Sequence, residues 1–241
     1  MHKSKHSDCF RNSIQSFVKY AETKESTEFV ISQICSDFGF QKRRLYDVIN
    51  VLEPVGVCKK TSVDTIQWNG VSKVPHFLMR LQKKYHLNSA DLSLEDLFMG
   101  GDEKCISIAH LTVSFVLLFF ALNQRSLDIK QIGVFLSKNN GRYKTTLCKL
   151  YQIAHILEAA TIFQKSISPG EMTLGESFFV PVEIDKCEEV NPLSIESLLN
   201  KPSPTNNTLM RRRMEFFSEF EKVSIKMFSM PSQWSNYQVY A

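Results

Sequence analysis

Residues 41–70 read QKRRLYDVINVLEPVGVCKKTSVDTIQWNG. Leu45, Val48, Ile49 and Leu52 recur at i, i+3, i+4 and i+7, which makes one face of a helix apolar. Lys42, Arg43 and Arg44 crowd the start of that helix. Pro54 ends it, because its ring clashes with the preceding turn and disfavours helical backbone at Glu53. Residues 55–60 and 65–68 then read as two extended segments, with polar residues 61–64 as the turn between them.

Arg43, Asp47 and Asn50 share a second helical face, with Arg44 beside them. Two neighbouring guanidinium forks suit guanine, since each donates two hydrogen bonds to O6 and N7 in the major groove. One such contact is worth roughly 1–3 kcal/mol of base discrimination. Asp47 lies within reach of both arginines along the helix, so its carboxylate can hold one fork in place. Lys59 and Lys60 suit phosphate, which adds affinity without sequence information. On an arbitrary helix such charges more often form a solvated face. A charged helix followed by a basic hairpin, however, is what a winged-helix DNA reader needs.

The strings carry more than the charges. Arg43-Arg44-Leu45-Tyr46-Asp47, then Asn50-Val51-Leu52-Glu53, then Ile66-Gln67-Trp68-Asn69-Gly70 resemble the E-two-F/DP family of winged-helix cell-cycle transcription factors. The wording is closer to the E-two-F branch than to DP, and the resemblance covers residues 10–70. It implies that Arg43 and Arg44 read guanines in a GC-rich core of double-stranded DNA. It also implies that Tyr46 and Asp47 support the helix. Lys42, Asn50, Lys59 and Lys60 are the expected supporting or phosphate contacts. The first helix is expected over residues 9–21, with Phe10, Ile14, Phe17 and Val18 inward. The second is expected to use Phe29, Val30, Ile34 and Phe38, with Phe40 in the turn before the third.

Residues 105–182 repeat this order. Residues 106–122 form an apolar helical run, Ser126-Leu127-Asp128-Ile129 begins the next helix, and residues 143–158 form the third. Leu147, Leu150, Ile153, Ala154 and Leu157 are its core stripe. Residues 161–166 and 172–180 are expected to pair as a hairpin. RRLYDVINVLE (Arg43–Glu53) aligns with CKLYQIAHILE (Cys148–Glu158). This resembles the second DNA-binding domain of the atypical family members, which carry two tandem winged helices and bind DNA without a DP partner. The departures fall at the reading positions. Cys148 and Lys149 replace the arginines, and Gln152 replaces the aspartate. Cysteine makes no fork contact, and lysine lacks the planar geometry. The second copy is therefore expected to read fewer or different bases, through Arg142, Lys144, Lys149, Tyr151 and Gln152. A copy kept only for packing against the first is the alternative. His155 aligns with Asn50 and receives no role.

The expected fold is mainly α with small β-hairpin wings: two tandem winged helix-turn-helix domains plus a C-terminal helix. The division is 1–70 for the first domain, 71–104 for a linker, 105–182 for the second domain, and 183–241 for an acidic, polar segment and a helix. The length of 241 residues accommodates this. A net charge of +4 is too small for a polybasic coating of DNA, so acidic residues must lie away from the binding face. The six cysteines include no CxxC pair, so neither zinc nor a disulfide framework is expected. The apolar run at 111–122 is shorter than the roughly twenty residues that span a bilayer. No nucleophile–base set, phosphate loop or metal spacing points to an enzyme, a cofactor or a small-molecule substrate.

The linker lacks a sustained heptad pattern. At 34 residues it is too short for the coiled coil and β-rich region of single-domain family members. Phe77, Leu78 and Leu81 begin a short helix there. Residues 209–230 form a Phe-rich helix, with Phe216, Phe217, Phe220, Val223 and Phe228 inward. Its aromatic face either docks on the winged helices or binds a protein partner. Arg211-Arg212-Arg213 reads as a nuclear address, a phosphate contact or a solvated helix start. The leading expectation is a nuclear, sequence-specific transcription regulator acting as an intrachain pseudo-dimer. The rivals are a winged-helix interaction scaffold and a DNA-binding subunit that needs a separate partner chain.

Overall fold

The computed structural model describes residues 4–24, 26–99, 107–138, 141–166, 168–185 and 204–228. In chain order the first elements are α1 (Ser4–Thr23), β1 (Glu28–Val30), α2 (Ile31–Phe38), α3 (Lys42–Leu52), a 3-10 turn (Glu53–Val55), β2 (Cys58–Lys60) and β3 (Thr65–Trp68). A second 3-10 turn (Val71–Lys73), α4 (Val74–Lys84) and α5 (Leu94–Met99) follow. Then come α6 (Ile108–Ala121), β4 (Ser126–Asp128), α7 (Ile129–Ser137), α8 (Tyr143–Ala159), β5 (Phe163–Lys165), β6 (Glu171–Leu174), a third 3-10 turn (Glu176–Phe178) and α9 (Pro204–Phe228). The fold is mainly helical with small antiparallel sheets, as expected.

Each sheet has three strands rather than a bare hairpin, in the orders β1-β3-β2 and β4-β6-β5. Phe29 faces Ile66 across β1 and β3, and Leu127 faces Met172 across β4 and β6. Sequence spacing predicts Phe29 and Val30 inside the second helix and another helix beginning at Ser126. Both segments are strands, and the helices start at Ile31 and Ile129. A two-stranded hairpin is marginal alone, and a third strand completes the ladder. Asp128 ends its strand by capping α7, accepting from the N–H groups of Lys130 and Gln131 at 2.7 and 3.1 Å. The last strand also stops earlier than expected, at Leu174, and turns into Glu176–Phe178.

Several backbone bonds recur at matching positions in the two sets of elements. The Val57 N–H donates to Leu52 and Ile162 to Leu157. Asn69 donates to Val57 and Gly175 to Ile162. Ile31 reaches the Asp64 carbonyl, and Ile129 reaches that of Gly170. The turn after each third helix holds a left-handed residue, Gly56 at φ 84° and Thr161 at φ 64°. Gly56 is doubly constrained, because a Cβ there would lie 2.4 Å from the Phe77 ring.

α1 lies against α8, α6 lies against α3 and the turn after it, and α3 touches α8. Each set thus applies its first helix to the other's third helix, a quasi-two-fold arrangement. This explains α6. It packs into its own set and against the first, and Phe115, Val116, Leu117, Leu118, Phe119 and Phe120 are all buried. No helix among the described residues is long and apolar enough to cross a membrane.

Residues 71–99 pack rather than dangle. α4 rests on the Glu53–Val55 turn, on α6 and on the Glu176–Phe178 turn. The Asn88 side chain donates to Asp185 Oδ2 at 2.6 Å, and the Asp185 N–H donates to the Asn88 carbonyl at 2.8 Å. α9 lies along α7 and α5, with Phe216 buried against the Phe135 ring. Phe217 and Phe220 are half-buried, whereas the side chains of Val223 and Phe228 lie outside the described residues.

Candidate nucleic-acid interface

The third helix of the first set buries Leu45, Val48, Ile49, Val51 and Leu52. Its opposite face leaves Lys42, Arg43, Arg44 and Asn50 exposed. Arg44 Nη1 donates to Asp47 Oδ2 at 3.3 Å. Asp47 therefore restrains the second fork. Arg43 makes no hydrogen bond or ion pair among the described residues, so its donors point to solvent.

Tyr46 turns the other way and ties the helix to the wing. Its hydroxyl donates to the Val63 carbonyl at 3.0 Å. Lys60 Nζ lies 4.9 Å from the centre of the Tyr46 ring, a cation–π contact. The Lys60 N–H donates to Glu53 Oε1 at 2.9 Å, and Lys59 is exposed. Lys42, expected as a supporting cation, is ion-paired at 3.3 Å with Asp64 of the wing. Asp64 also accepts from Ser32 Oγ at 2.9 Å. That bond, then Lys42, holds the Asp64 carboxyl below the usual carboxylate range. The wing, α2 and α3 are thus joined at one point. Trp68 is buried at the base, and its Nε1 donates to Glu22 Oε1 at 2.9 Å.

The second set presents a different surface. Arg142 and Lys144 are exposed at the start of α8, and Cys148 is exposed where α3 has Arg43. Lys149 and Gln152 are half-buried. Tyr151 is 45 % exposed and makes no hydrogen bond among the described residues. It does not hold its wing as Tyr46 does. In that wing Ser166 Oγ donates to Glu171 Oε2 at 2.5 Å instead.

A cavity of about 530 Å³ opens where the two sets meet, lined by Cys9, Phe10, Phe40, Gln41, Arg44 and His155 among others. Phe10 stacks on His155 with ring centres 6.1 Å apart. Burial, then the nearby Arg11, lowers the His155 pKa below the ordinary histidine value. Its alignment with Asn50 implies no role for His155, because sequence spacing carries no sign of the other set's α1. Arg211, Arg212 and Arg213 lie on α9, which packs along α7 and α5. All three guanidinium groups donate to backbone carbonyls, and Arg212 is buried, so Arg212 is not a solvated cation, whereas Arg211 stays exposed. Among the described residues no group of three or more His, Cys, Asp and Glu side chains could hold a metal ion.

Residues 8–70 match the winged-helix DNA-binding domain of the E-two-F/DP family. The chain is 23 % identical over 167 residues to "Transcription factor E2F7" of Danio rerio, covering 61 % of this chain and 23 % of that protein. It is 37 % identical over 185 residues to the E-two-F transcription factor-like protein E2FE of Arabidopsis thaliana, covering 59 % and 46 %. It is 30 % identical over 128 residues to "Transcription factor E2FB" of the same plant, covering 51 % and 26 %. The chain thus spans less than half the length of each of these relatives. The likeness to this family's winged-helix DNA-binding domain thus rests on residues 8–70.

Proposed function

We propose that the chain is a sequence-specific regulator of transcription that binds double-stranded DNA through two winged helices held as an intrachain pseudo-dimer. The division is 1–70 and 105–182 for the two readers, 71–104 for the connection, and 183–241 for the remainder. The carrying observation is the quasi-two-fold packing of α1 on α8 and α6 on α3. Similarity to relatives that covers 61 % and 59 % of this chain, far beyond the 63 residues of the family match, supports the same reading. Arg43 and Arg44 supply base readout at a GC-rich core. Tyr46, Asp47, Asn50, Lys42, Lys59 and Lys60 support the helix or meet phosphate. In the second reader Arg142, Lys144 and Lys149 grip phosphate, while Tyr151 and Gln152 meet base edges or sugar. Such a protein works in the nucleus.

The test is binding of the purified chain to GC-rich and AT-rich duplexes at several salt concentrations. Arg43→Ala and Arg44→Ala each reduce preference for the GC core by about tenfold or more, the size of one bidentate contact. Unchanged preference in both variants refutes the base-readout assignment. Lys59→Ala and Lys60→Ala weaken binding evenly and flatten the salt dependence. An interaction scaffold is the second reading, favoured by the loss of both arginines at Cys148 and Lys149. It predicts no preference in the wild-type chain.

A further inference from the structure

Arg212 is the largest fully buried side chain in the molecule's described part, and it is a cation. Its Nη1 donates to the Leu87 carbonyl at 2.8 Å, and its Nη2 donates to that of Ser89 at 2.7 Å. Nε and Nη2 both reach the Leu92 carbonyl at 3.3 Å. Arg211 donates to Ala90 and Asp91 at 3.0 and 3.3 Å. Arg213 donates to Leu122 and Asn123, at the end of α6, at 2.9 and 3.1 Å. Burial, then Arg211, lowers the Arg212 pKa to about 10, so the group stays charged at neutral pH.

An ionised group is costly to bury unless hydrogen bonds replace its lost hydration. Here a single planar fork gathers the carbonyls of the chain between α4 and α5, which no apolar side chain does. The rest of α9 reaches outward in the same manner. Glu215 Oε2 accepts from the Leu94 N–H at 2.7 Å, at the start of α5. Lys138, at the end of α7, is ion-paired with both Glu95 and Glu219. One helix therefore bonds to the 87–92 segment, α5, α6 and α7. The 87–92 segment is the exit of α4, which rests on the turn that closes α3 and on α6.

We propose that α9 is a brace, with Arg212 as its positioning residue, that fixes the angle between α3 and α8 and so sets the half-site spacing the protein accepts on DNA. This rests on the two-reader function proposed above. Linking two readers raises the local concentration of the second only when their geometry fits the sites. A loosened brace removes that fit without touching the first reader.

The experiment compares the full chain with Arg212→Met, Arg212→Lys and Arg213→Gln. Three probes are used: a duplex selected by the wild-type chain, the same duplex with about two base pairs inserted between its half-sites, and one holding only the GC core. The wild-type chain prefers the first probe. Arg212→Met loses about tenfold on the first probe and stays within about twofold on the GC core alone, so spacing discrimination collapses. Arg212→Lys restores part of the discrimination. Arg213→Gln, which leaves the buried guanidinium in place, shows the same pattern at smaller amplitude. Equal losses on the first probe and on the GC core mean a merely structural role and overturn the brace. Intact spacing discrimination in all variants overturns it too. A wild-type chain that binds no GC duplex defeats the DNA reading itself, an outcome separate from either of these.

Discussion

Arg11 and Glu158 meet across the junction of the two sets, Nη1 to Oε1 at 2.9 Å. Glu158 occupies the position that Glu53 holds in the first set. Glu53 spends its Oε1 on the Lys60 N–H of its own wing. The same residue type thus closes a wing in one set and joins the sets in the other. Arg11→Ala is expected to destabilise the protein by about 1 kcal/mol, since the pair is partly exposed. Glu158→Ala costs about the same, and the double variant costs less than the sum of the two. Urea unfolding of the four proteins checks this, and strict additivity refutes the coupling.

Tyr46→Phe removes one hydroxyl and no ring. The lost bond to the Val63 carbonyl is worth about 1 kcal/mol. The Lys60 contact to the ring remains. Amide exchange at residues 61–64 is expected to quicken while that of α1 stays unchanged. Equal protection of the wing in both proteins refutes the tether.

His155 gives the junction a pH dependence. Its folded pKa lies below the ordinary histidine value, so the unfolded chain takes up a proton first as pH falls. The stability of this packing is complete above the unfolded value and is lost as pH falls through the lower, folded one. Arg11 opposes protonation and Glu158 favours it, with burial the larger effect. Unfolding midpoints measured from pH 8 to 5 are expected to decline below about pH 6.5, and less so in His155→Phe. Identical profiles for the two proteins count against the assignment.

Thiol reactivity is expected to follow exposure. Cys9 and Cys148 are exposed, Cys35 is half-buried and Cys58 is buried. Burial, then Glu53, pushes the Cys58 thiol up to about 12, and burial raises Cys35 as well. Iodoacetamide labelling of the folded protein near pH 8 should modify Cys9 and Cys148 first and Cys58 last. Early labelling of Cys58 refutes its placement. Cys105 and Cys187 lie outside the described residues.

Much of the helical architecture is legible in spacing alone. Leu45, Val48, Ile49 and Leu52 repeat with the helical period, and all four are buried. The residue pairs Tyr46–Val63 and Lys42–Asp64 are not legible, because side-chain direction across a turn has no periodic signature. Strands β1 and β4 are not legible for a related reason. Three residues are too few to show an alternation, and their ladder partners lie in distant β3 and β6. The linker's packing was also hidden, since Asn88 and Asp185 meet only once the chain has folded back.

The amino-acid order alone determined the fold class, the helix carrying Arg43 and Arg44, and the repetition of that helix at residues 143–159. Those are matters of local period, breaker residues and motif wording. Tertiary structure alone decided what Arg211, Arg212 and Arg213 do. Three adjacent cations look like a solvated or phosphate-seeking cluster, because their charge is local information. Their acceptors are carbonyls at residues 87–92 and 122–123, about ninety or more positions away. A carbonyl exists at every residue, so only the folded chain determines which ones converge on a guanidinium.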